Sequence, residues 1–506
     1  MINYNFKSEI LKADKFDIKI NGIQLIENDN NVEIRVDVFR SQPVFLYRDL
    51  NQNIYVFDSM DFFYSQDSFS KNIDEVGFWE IMLFGTSLWT RTLYVDLFQL
   101  PSASSLVINK KTKDFTIKRY WDFNVYINPD IKSLDIAAEK FNSYLDRISS
   151  NLDPNQNYCF GLSGGMDSRL TLAYLSKYIK PERLNIFTYA NSNKSLEYIL
   201  SKEICKRLNL NEPSFHSLTG NSYKEALNYM PKKSGGQIGI NHCHIIDFLS
   251  KQDLGDLTHI STYFSDAIFG FESEIGLDLN DKMYNPYISK LNNSPFISDE
   301  IKKQIADDSN FITKDYDLNS NISSLKEYIY VSERNQKFHN YLFSIQKEFT
   351  KKGCSFYHDY DLFVYSLSIP IEFRNQKKIE YYILEKYYRK ISASLIGDIS
   401  SIYFRSSNNF DSFVDVIKFK FLNRINALLR ILTRGYFQVE NNYQTEELER
   451  NLYKYFKTDL IKAFMVFYDM GIFKKKHTFF KKLPIKSNGV NERYRIISLA
   501  TLFRGI

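Results

Sequence analysis

The first 125 residues alternate short apolar runs with polar turns. The clearest runs contain β-branched and aromatic side chains, which favour strands: residues 32–38, 44–47, 54–57 and 105–108. A helical pattern is confined to residues 78–88 and their neighbours. The pattern therefore predicts a mostly β, sandwich-like domain over residues 1–125.

The pattern changes at Tyr158, where apolar runs begin to alternate with amphipathic stretches such as residues 196–208. Three of these apolar runs indicate buried strands: residues 158–160, 184–189 and 257–261. Such alternation is typical of a parallel sheet with helices on both faces, which binds ligands at the carboxyl ends of its strands. Beyond about Ile275 the pattern is mainly helical. We therefore expect an α/β protein whose second domain, residues 126–506, has a doubly wound parallel sheet and a helical C-terminal region.

Composition narrows the class of protein. A chain of 506 residues exceeds the roughly 250–300 at which single cores stop growing, so at least two domains are expected. The net charge of +5 gives no support for a nucleic-acid partner. The four cysteines have neither metal-site spacing nor disulfide density, which fits a reducing compartment. No signal-peptide pattern or long apolar run is present, so we expect a cytoplasmic protein without a membrane partner.

The most informative motif is Leu162–Ser168, which reads Leu-Ser-Gly-Gly-Met-Asp-Ser and leads into a helical stretch. Adjacent glycines let backbone amides approach an anion, and a helix N-terminus adds partial positive charge. The hydroxyls of Ser163 and Ser168 add donors, while Asp167 indicates a divalent cation between protein and anion. The lysine of γ-phosphate-binding loops is absent. The motif therefore predicts a pyrophosphate site rather than an ordinary turn.

The next two strand ends also contain candidate ligand-binding residues. Tyr189 closes the second strand, where either a nucleoside contact or a simple core strand fits the local sequence. Glu197 is a site acid or an ordinary first-turn acid of the following helix. Asp266 follows the third strand and either completes a magnesium site with Asp167 or caps a helix.

At this point the chain resembles, along most of its length, the asparagine synthetase family of ATP-dependent amidoligases. Residues 162–168 match the family's Leu-Ser-Gly-Gly-x-Asp-Ser motif in full, and residues 261–271 resemble its Ser-Gly-x-Gly-x-Asp-x-x-Phe-Gly-Gly, with Thr262 and Phe264 replacing glycines. Further similar segments are residues 93–101, 118–122, 356–362 and 366–370. The resemblance implies a degenerate Ntn-glutaminase-like sandwich followed by a PP-loop ATP pyrophosphatase domain.

The resemblance also implies an activity, in which ATP and Mg²⁺ adenylate a small or peptide-derived carboxylate, pyrophosphate leaves, and ammonia or an amine forms an amide. It assigns the nucleotide to Leu162, Ser163, Gly164, Gly165, Asp167, Ser168, Tyr189 and Ser261, and the metal to Asp167 and Asp266. Asparagine synthesis is the family's default reaction, and a homodimer is a further expectation. The alternative is a non-catalytic or tRNA-directed PP-loop protein.

Two departures from the family concern the nitrogen donor. Position 2 is Ile2, and no cysteine precedes Cys159, so the glutaminase nucleophile is expected to be absent. Tyr263 stands where the family has an acid, which resembles the β-lactam synthetase branch. On that resemblance Tyr263 is a candidate catalytic base with Glu333 as its partner, and the alternative is an aromatic pocket wall.

A third departure concerns a lysine that the family places late in the synthetase domain. No convincing match to its motif is found near residues 402–408. The candidates to replace it are Arg405, Lys418 and Lys420.

Overall fold

The computed structural model describes residues 2–12, 15–190, 193, 195–218, 220–227, 229–239, 244–294, 297–392, 459–460, 462–472 and 488–504. Over these residues the protein is α/β, with one all-parallel sheet and two sheets that contain antiparallel pairs.

Nine strands form the two sheets of the N-terminal part: β1 Ile2–Asn5, β2 Ile10–Lys12, β3 Ile23–Glu27, β4 Asn31–Val36, β5 Phe45–Arg48, β6 Ile54–Phe57, β7 Leu97–Gln99, β8 Ser104–Asn109 and β9 Phe115–Arg119. Their orders are β1-β6-β5-β7 and β2-β3-β4-β8-β9. In β4 buried and partly buried residues alternate, so Val32, Ile34 and Val36 enter an apolar cluster shared by both sheets. The strands predicted in this part are all present.

The parallel sheet contains β10 Tyr158–Gly161, β11 Leu184–Ala190, β12 Ser214–Ser217, β13 Thr258–Ser261 and β14 Lys352–Ser355. Its order is β12-β11-β10-β13-β14, so the predicted strands are its three central ones. The prediction missed β12 and β14, and β14 lies in the part expected to be helical. Both are edge strands of four residues with little apolar character, and a pattern search for buried strands does not detect them.

The helices are α1 Met60–Ser65, α2 Glu75–Phe84, α3 Leu134–Ser150, α4 Met166–Tyr178, α5 Leu196–Arg207, α6 Gly220–Leu227, α7 Met230–Lys233, α8 His244–Ser250, α9 Ser265–Ile268, α10 Leu279–Lys282, α11 Pro286–Asn292, α12 Asp299–Thr313, α13 Leu325–Ile329, α14 Asn335–Gln346, α15 Tyr360–Ser368, α16 Ile371–Arg374, α17 Lys378–Tyr387, α18 Arg389–Ser392 and α19 Asn488–Arg504. A π-helical turn, Tyr330–Arg334, joins α13 to α14, and a 3-10 turn, Asn375–Lys377, precedes α17. None of the helices in the described ranges combines the length and apolarity needed to cross a bilayer.

A large apolar core continues across the boundary predicted at residue 125. It includes Phe78 and Ile81 of α2, Phe160 of β10 and Leu170 of α4. The core packs α4 against the parallel sheet, which fixes the loop between β10 and α4 at the carboxyl edge of the sheet.

Candidate active site

The loop between β10 and α4, residues 162–165, is held in place by its own hydroxyl groups and by its neighbours. The Ser163 and Ser168 hydroxyl oxygens lie 2.9 Å apart, and the Ser163 amide donates to the Ser168 oxygen at 3.2 Å. The Leu162 amide donates to the carbonyl of Phe187 in β11 at 2.9 Å. Arg169 is buried and donates to the Gly164 carbonyl at 2.7 Å, a contact that the sequence did not predict.

A carboxylate already lies against this loop. The Gly164 amide donates to Glu197 Oε2 at 2.5 Å. A Cβ at Gly164 would lie 2.7 Å from Leu200 Cδ1 and 3.3 Å from Glu197 Oε2, so the loop approaches α5 more closely than a side chain allows. Glu197 lies in the first turn of α5 and also reaches the loop, so the structure is consistent with both roles considered for it. The Gly164 amide therefore already has a carboxyl oxygen as its acceptor.

Asp167 and Asp266 meet at a single cation, the ammonium group of Lys377. Lys377 Nζ lies 2.8 Å from both carboxylate oxygens of Asp167 and 2.6 Å from Asp266 Oδ1. Asp167 lies in the first turn of α4, and Asp266 in the first turn of α9 after β13, so the carboxyl ends of two neighbouring strands bring them together. Burial acts to raise the pKa of Asp266, but the Lys377 ammonium outweighs burial and lowers it.

Lys377 is the residue that sequence reasoning missed. Its side chain is 10% exposed, and it forms the N-cap of α17 with a left-handed backbone, φ +61°. Burial opposes its charge, but the surrounding carboxylates hold its pKa well above the ordinary value. The predicted alternatives for a late cation, Arg405, Lys418 and Lys420, lie outside the described residues.

A third carboxyl group, that of Glu380, lies behind this cation. Glu380 Oε2 is 4.0 Å from Lys377 Nζ, and the residue is completely buried in α17. Burial and the nearby Asp167 carboxylate raise the pKa of Glu380 well above its ordinary value.

The remaining predicted ligand residues lie around the same sheet edge. Tyr189 lies near Glu197 and Tyr263, and burial raises its pKa. Ser261 is the buried last residue of β13, and its hydroxyl has no hydrogen-bond partner within the described part of the chain. The structure therefore places these residues at the strand ends where the prediction put them.

Tyr263 and Glu333 have different partners in the structure. The Tyr263 hydroxyl accepts a hydrogen bond from Gln346 Nε2 at 2.5 Å, and burial raises its pKa above the ordinary value. Glu333 lies in the π-helical turn, 2.6 Å from Arg119 Nη2 and 3.0 Å from Lys337 Nζ. The recorded ion pairs of Glu333 are therefore with Arg119 and Lys337, and the i, i+4 spacing to Lys337 was a visible signal for the second pair.

A cleft of about 420 Å³ opens beside the 3-10 turn that precedes α17. Lys326 lies at this cleft and pairs with Glu272 at 2.7 Å and with Glu274 at 3.0 Å. The lining residues are Phe271, Glu272, Ser273, Glu274, Ile275, Lys326, Asn375 and Gln376. The cleft therefore adjoins Lys377 through the chain neighbours Asn375 and Gln376.

The segment between Asp266 and this cleft packs closely against α16, which gives a testable consequence. A Cβ at Gly270, where φ is +71°, would lie 2.8 Å from the Arg374 carbonyl oxygen, whereas a Cβ at Gly276, φ +74°, meets nothing within 4 Å. Both Gly→Ala variants force alanine into the left-handed region, but only Gly270→Ala adds a backbone clash. We expect Gly270→Ala to lower the free energy of unfolding by about 1–3 kcal/mol more than Gly276→Ala. Urea unfolding of both variants measures this, and equal losses would exclude the close approach as a cause.

The donor set at Lys377 fits the metal implied by the sequence. Mg²⁺ in phosphate-binding sites usually takes one or two carboxylates, with phosphate and water oxygens completing its shell. Asp167 and Asp266 supply two carboxylates that already lie on one cation. Within the described ranges no group of three or more His, Cys, Asp or Glu residues is arranged for a metal ion. The two aspartates are therefore sufficient for Mg²⁺ only if phosphate oxygens join them.

No protein-family model matches this chain, and a search of the curated proteins finds no significant match.

Proposed function

We propose that this chain is an ATP-dependent ligase of the asparagine synthetase type, built from a degenerate Ntn-glutaminase-like sandwich and a PP-loop ATP pyrophosphatase domain. One observation carries the proposal. Asp167 and Asp266 converge on one cation at the carboxyl edge of a parallel sheet, next to a loop whose Gly164 amide binds a carboxylate oxygen. Anion donors beside paired aspartates are the arrangement that a magnesium–pyrophosphate group requires.

The proposed reaction has two steps. A carboxylate oxygen of the substrate attacks the α-phosphorus of ATP, and the bond to pyrophosphate breaks, which leaves an acyl adenylate. Ammonia or an amine then attacks the acyl carbon, AMP leaves, and the nitrogen loses one proton. A magnesium ion at Asp167 and Asp266 would neutralise charge on the departing pyrophosphate.

The described residues would have two roles in this reaction: the loop would bind anionic oxygens, and Lys377 would balance negative charge. The loop at the N-terminus of α4 contains the Gly164 amide, which donates to Glu197 in this structure, and the Ser163 and Ser168 hydroxyls, which bond to each other. Phosphate oxygens would replace these partners as acceptors. Lys377 supplies a buried positive charge at the same point, which stabilises negative charge as it develops. The cleft of about 420 Å³ is lined by Asn375 and Gln376, the chain neighbours of Lys377; it has the size of a small-molecule pocket and is our candidate for the substrate.

Two features bear on how the nitrogen nucleophile is supplied and activated. Residues 1–158 contain no cysteine, so the β-rich part described here offers no thiol for glutamine hydrolysis. Burial raises the pKa of Tyr263, so its hydroxyl keeps its proton at neutral pH, and Gln346 already donates to its oxygen. We therefore assign Tyr263 to hydrogen bonding of the substrate, with ammonia or a substrate amine as the nucleophile.

The proposal is tested by ATP–pyrophosphate exchange. The protein is incubated with ATP, Mg²⁺, labelled pyrophosphate and a panel of amino acids, small acids and short peptides. We expect label to enter ATP only when one acid of the panel is present, since the adenylate forms reversibly. Folded protein that gives no acid-dependent exchange contradicts the ligase proposal. Exchange that requires tRNA instead would identify the alternative function.

A further inference from the structure

Among the amides of the loop between β10 and α4, that of Gly164 is bound by a carboxyl group from another element. It donates at 2.5 Å to Oε2 of Glu197, in the first turn of α5. The Ser163 and Gly165 amides donate instead to the hydroxyl oxygens of Ser168 and Ser163, at 3.2 Å each. A backbone amide has a single hydrogen to donate. An oxygen of pyrophosphate that binds the Gly164 amide must therefore displace Glu197.

Contacts other than that of Glu197 hold the loop in place. The buried Arg169 of α4 donates to the Gly164 carbonyl at 2.7 Å. The Leu162 amide donates to a carbonyl of β11 at 2.9 Å, and the buried Thr188 hydroxyl of β11 donates to the Leu162 carbonyl at 2.9 Å. These bonds tie the loop to α4 and β11. Loss of the Glu197 carboxyl group is therefore expected to free the Gly164 amide while the loop keeps its position.

The competition for this amide does not depend on the charge of Glu197. Burial raises the pKa of its carboxyl group, while the Gly164 amide and the buried Arg169 act against that rise. In either protonation state a carboxyl group keeps an acceptor oxygen for the amide. At 2.5 Å that oxygen covers the amide hydrogen, so a second oxygen cannot bind the same donor. Pyrophosphate therefore gains the Gly164 amide only when the Glu197 side chain turns away.

We propose that Glu197 is an internal competitor of pyrophosphate at the Gly164 amide, which weakens binding of this product and so assists its release. This inference rests on the anion-binding loop of the proposed function. When pyrophosphate binds, one of its oxygens accepts from the Gly164 amide and Glu197 turns away. When pyrophosphate leaves, Glu197 takes the amide again. Product release limits the rate of many enzymes, so a weakened hold on the product increases turnover.

The test is binding of inorganic pyrophosphate in buffer with Mg²⁺, measured by isothermal titration calorimetry without ATP or an acid substrate. Glu197→Ala removes the competing acceptor and is expected to tighten pyrophosphate binding about tenfold. Glu197→Gln keeps an acceptor oxygen, so its affinity should lie between those of the wild type and Glu197→Ala. The matched control is Glu203→Ala. Glu203 is another acid of α5, pairs with Arg207 at 2.6 Å and is 37% exposed, so this variant should bind pyrophosphate like the wild type.

The sign of the change separates competition from other roles of Glu197. Weaker pyrophosphate binding by Glu197→Ala would make Glu197 a support for the loop and overturn the proposal, as would unchanged binding. Equal tightening by Glu197→Gln and Glu197→Ala would assign the effect to charge and would also overturn it. If Glu197→Ala does not fold, Glu197→Asp takes its place. Aspartate keeps the charge but is one methylene shorter, so loss of the contact alone should tighten binding.

The experiment also distinguishes this inference from the function on which it depends. If neither the wild type nor Glu197→Ala binds pyrophosphate, the anion site is absent and both proposals fail. Tighter binding by Glu197→Ala in a protein without acid-dependent exchange would keep the competition and overturn only the ligase. Acid-dependent exchange by the wild type, without tighter pyrophosphate binding by Glu197→Ala, would overturn only the role of Glu197.

Discussion

Replacing Asp167 with Asn is expected to lower ATP–pyrophosphate exchange by about 10³-fold or more, because a metal ion at the transferring phosphoryl group is worth several kcal/mol. Asparagine keeps the shape of the side chain but loses the charge that binds a cation. In the structure both Asp167 oxygens contact the Lys377 ammonium group, so the variant removes half of the paired site. The initial rate of label exchange, with the acid found in the panel, measures the loss.

The matched control is Asp135→Asn. Asp135 also lies in the first turn of a helix, α3, and pairs with a lysine, Lys386, but its side chain is 57% exposed and has no recorded contact with the loop or with Asp266. This variant should exchange at the wild-type rate, because exposed ion pairs contribute about 0–1 kcal/mol. If Asp167 and Asp266 bind the same metal ion, Asp266→Asn should lower the exchange rate as much as Asp167→Asn does. Near-normal exchange by a folded Asp167→Asn protein would refute the metal assignment.

The local structure of the loop was predictable because neighbouring residues determine it. An apolar run, two glycines and a helical pattern specify strand, tight loop and helix, and the structure has β10, the loop and α4 at those residues. Strands β12 and β14 were not predictable in the same way, because they are polar edge strands. Their position depends on pairing with β11 and β13, which the local sequence does not indicate.

The partners of the site residues depend on contacts that no local pattern reports. Lys377 lies 210 residues from Asp167 along the chain, and only the fold brings them together. Tyr263 and Gln346 are 83 residues apart along the chain, and the fold likewise brings them into contact. By contrast, the pairing of Glu333 with Lys337 is a local i, i+4 relation, so sequence spacing could have indicated it.

Replacing Glu327 with Gln is expected to lower the free energy of unfolding by about 3–5 kcal/mol, because it leaves the buried guanidinium of Arg374 without its counter-charge. The two side chains are 2% and 1% exposed and are in direct contact. Glu327 also accepts hydrogen bonds from the Ser323 amide at 2.6 Å and the Ser273 hydroxyl at 2.8 Å. Urea unfolding at neutral pH measures the loss.

An exposed pair nearby supplies the control. Glu274 pairs with Lys326 at 3.0 Å, with side chains 46% and 39% exposed, so Glu274→Gln should cost less than about 1 kcal/mol. A second comparison tests the cause of the loss. Adding Arg374→Met to Glu327→Gln removes the uncompensated charge, so the double variant should be more stable than Glu327→Gln alone. A double variant that is less stable would show that hydrogen bonds, not the buried charge, dominate.

The Glu327–Arg374 pair also makes the stability of the folded protein depend on pH. Burial acts to raise the pKa of Glu327, but Arg374 and the Ser323 hydrogen bonds outweigh burial and lower it. A carboxyl group with a lowered folded-state pKa stabilises the protein above its unfolded pKa of about 4.3, and this stabilisation is lost as pH falls through the folded value. The gap in stability between wild type and Glu327→Gln should therefore narrow on acidification below about pH 4.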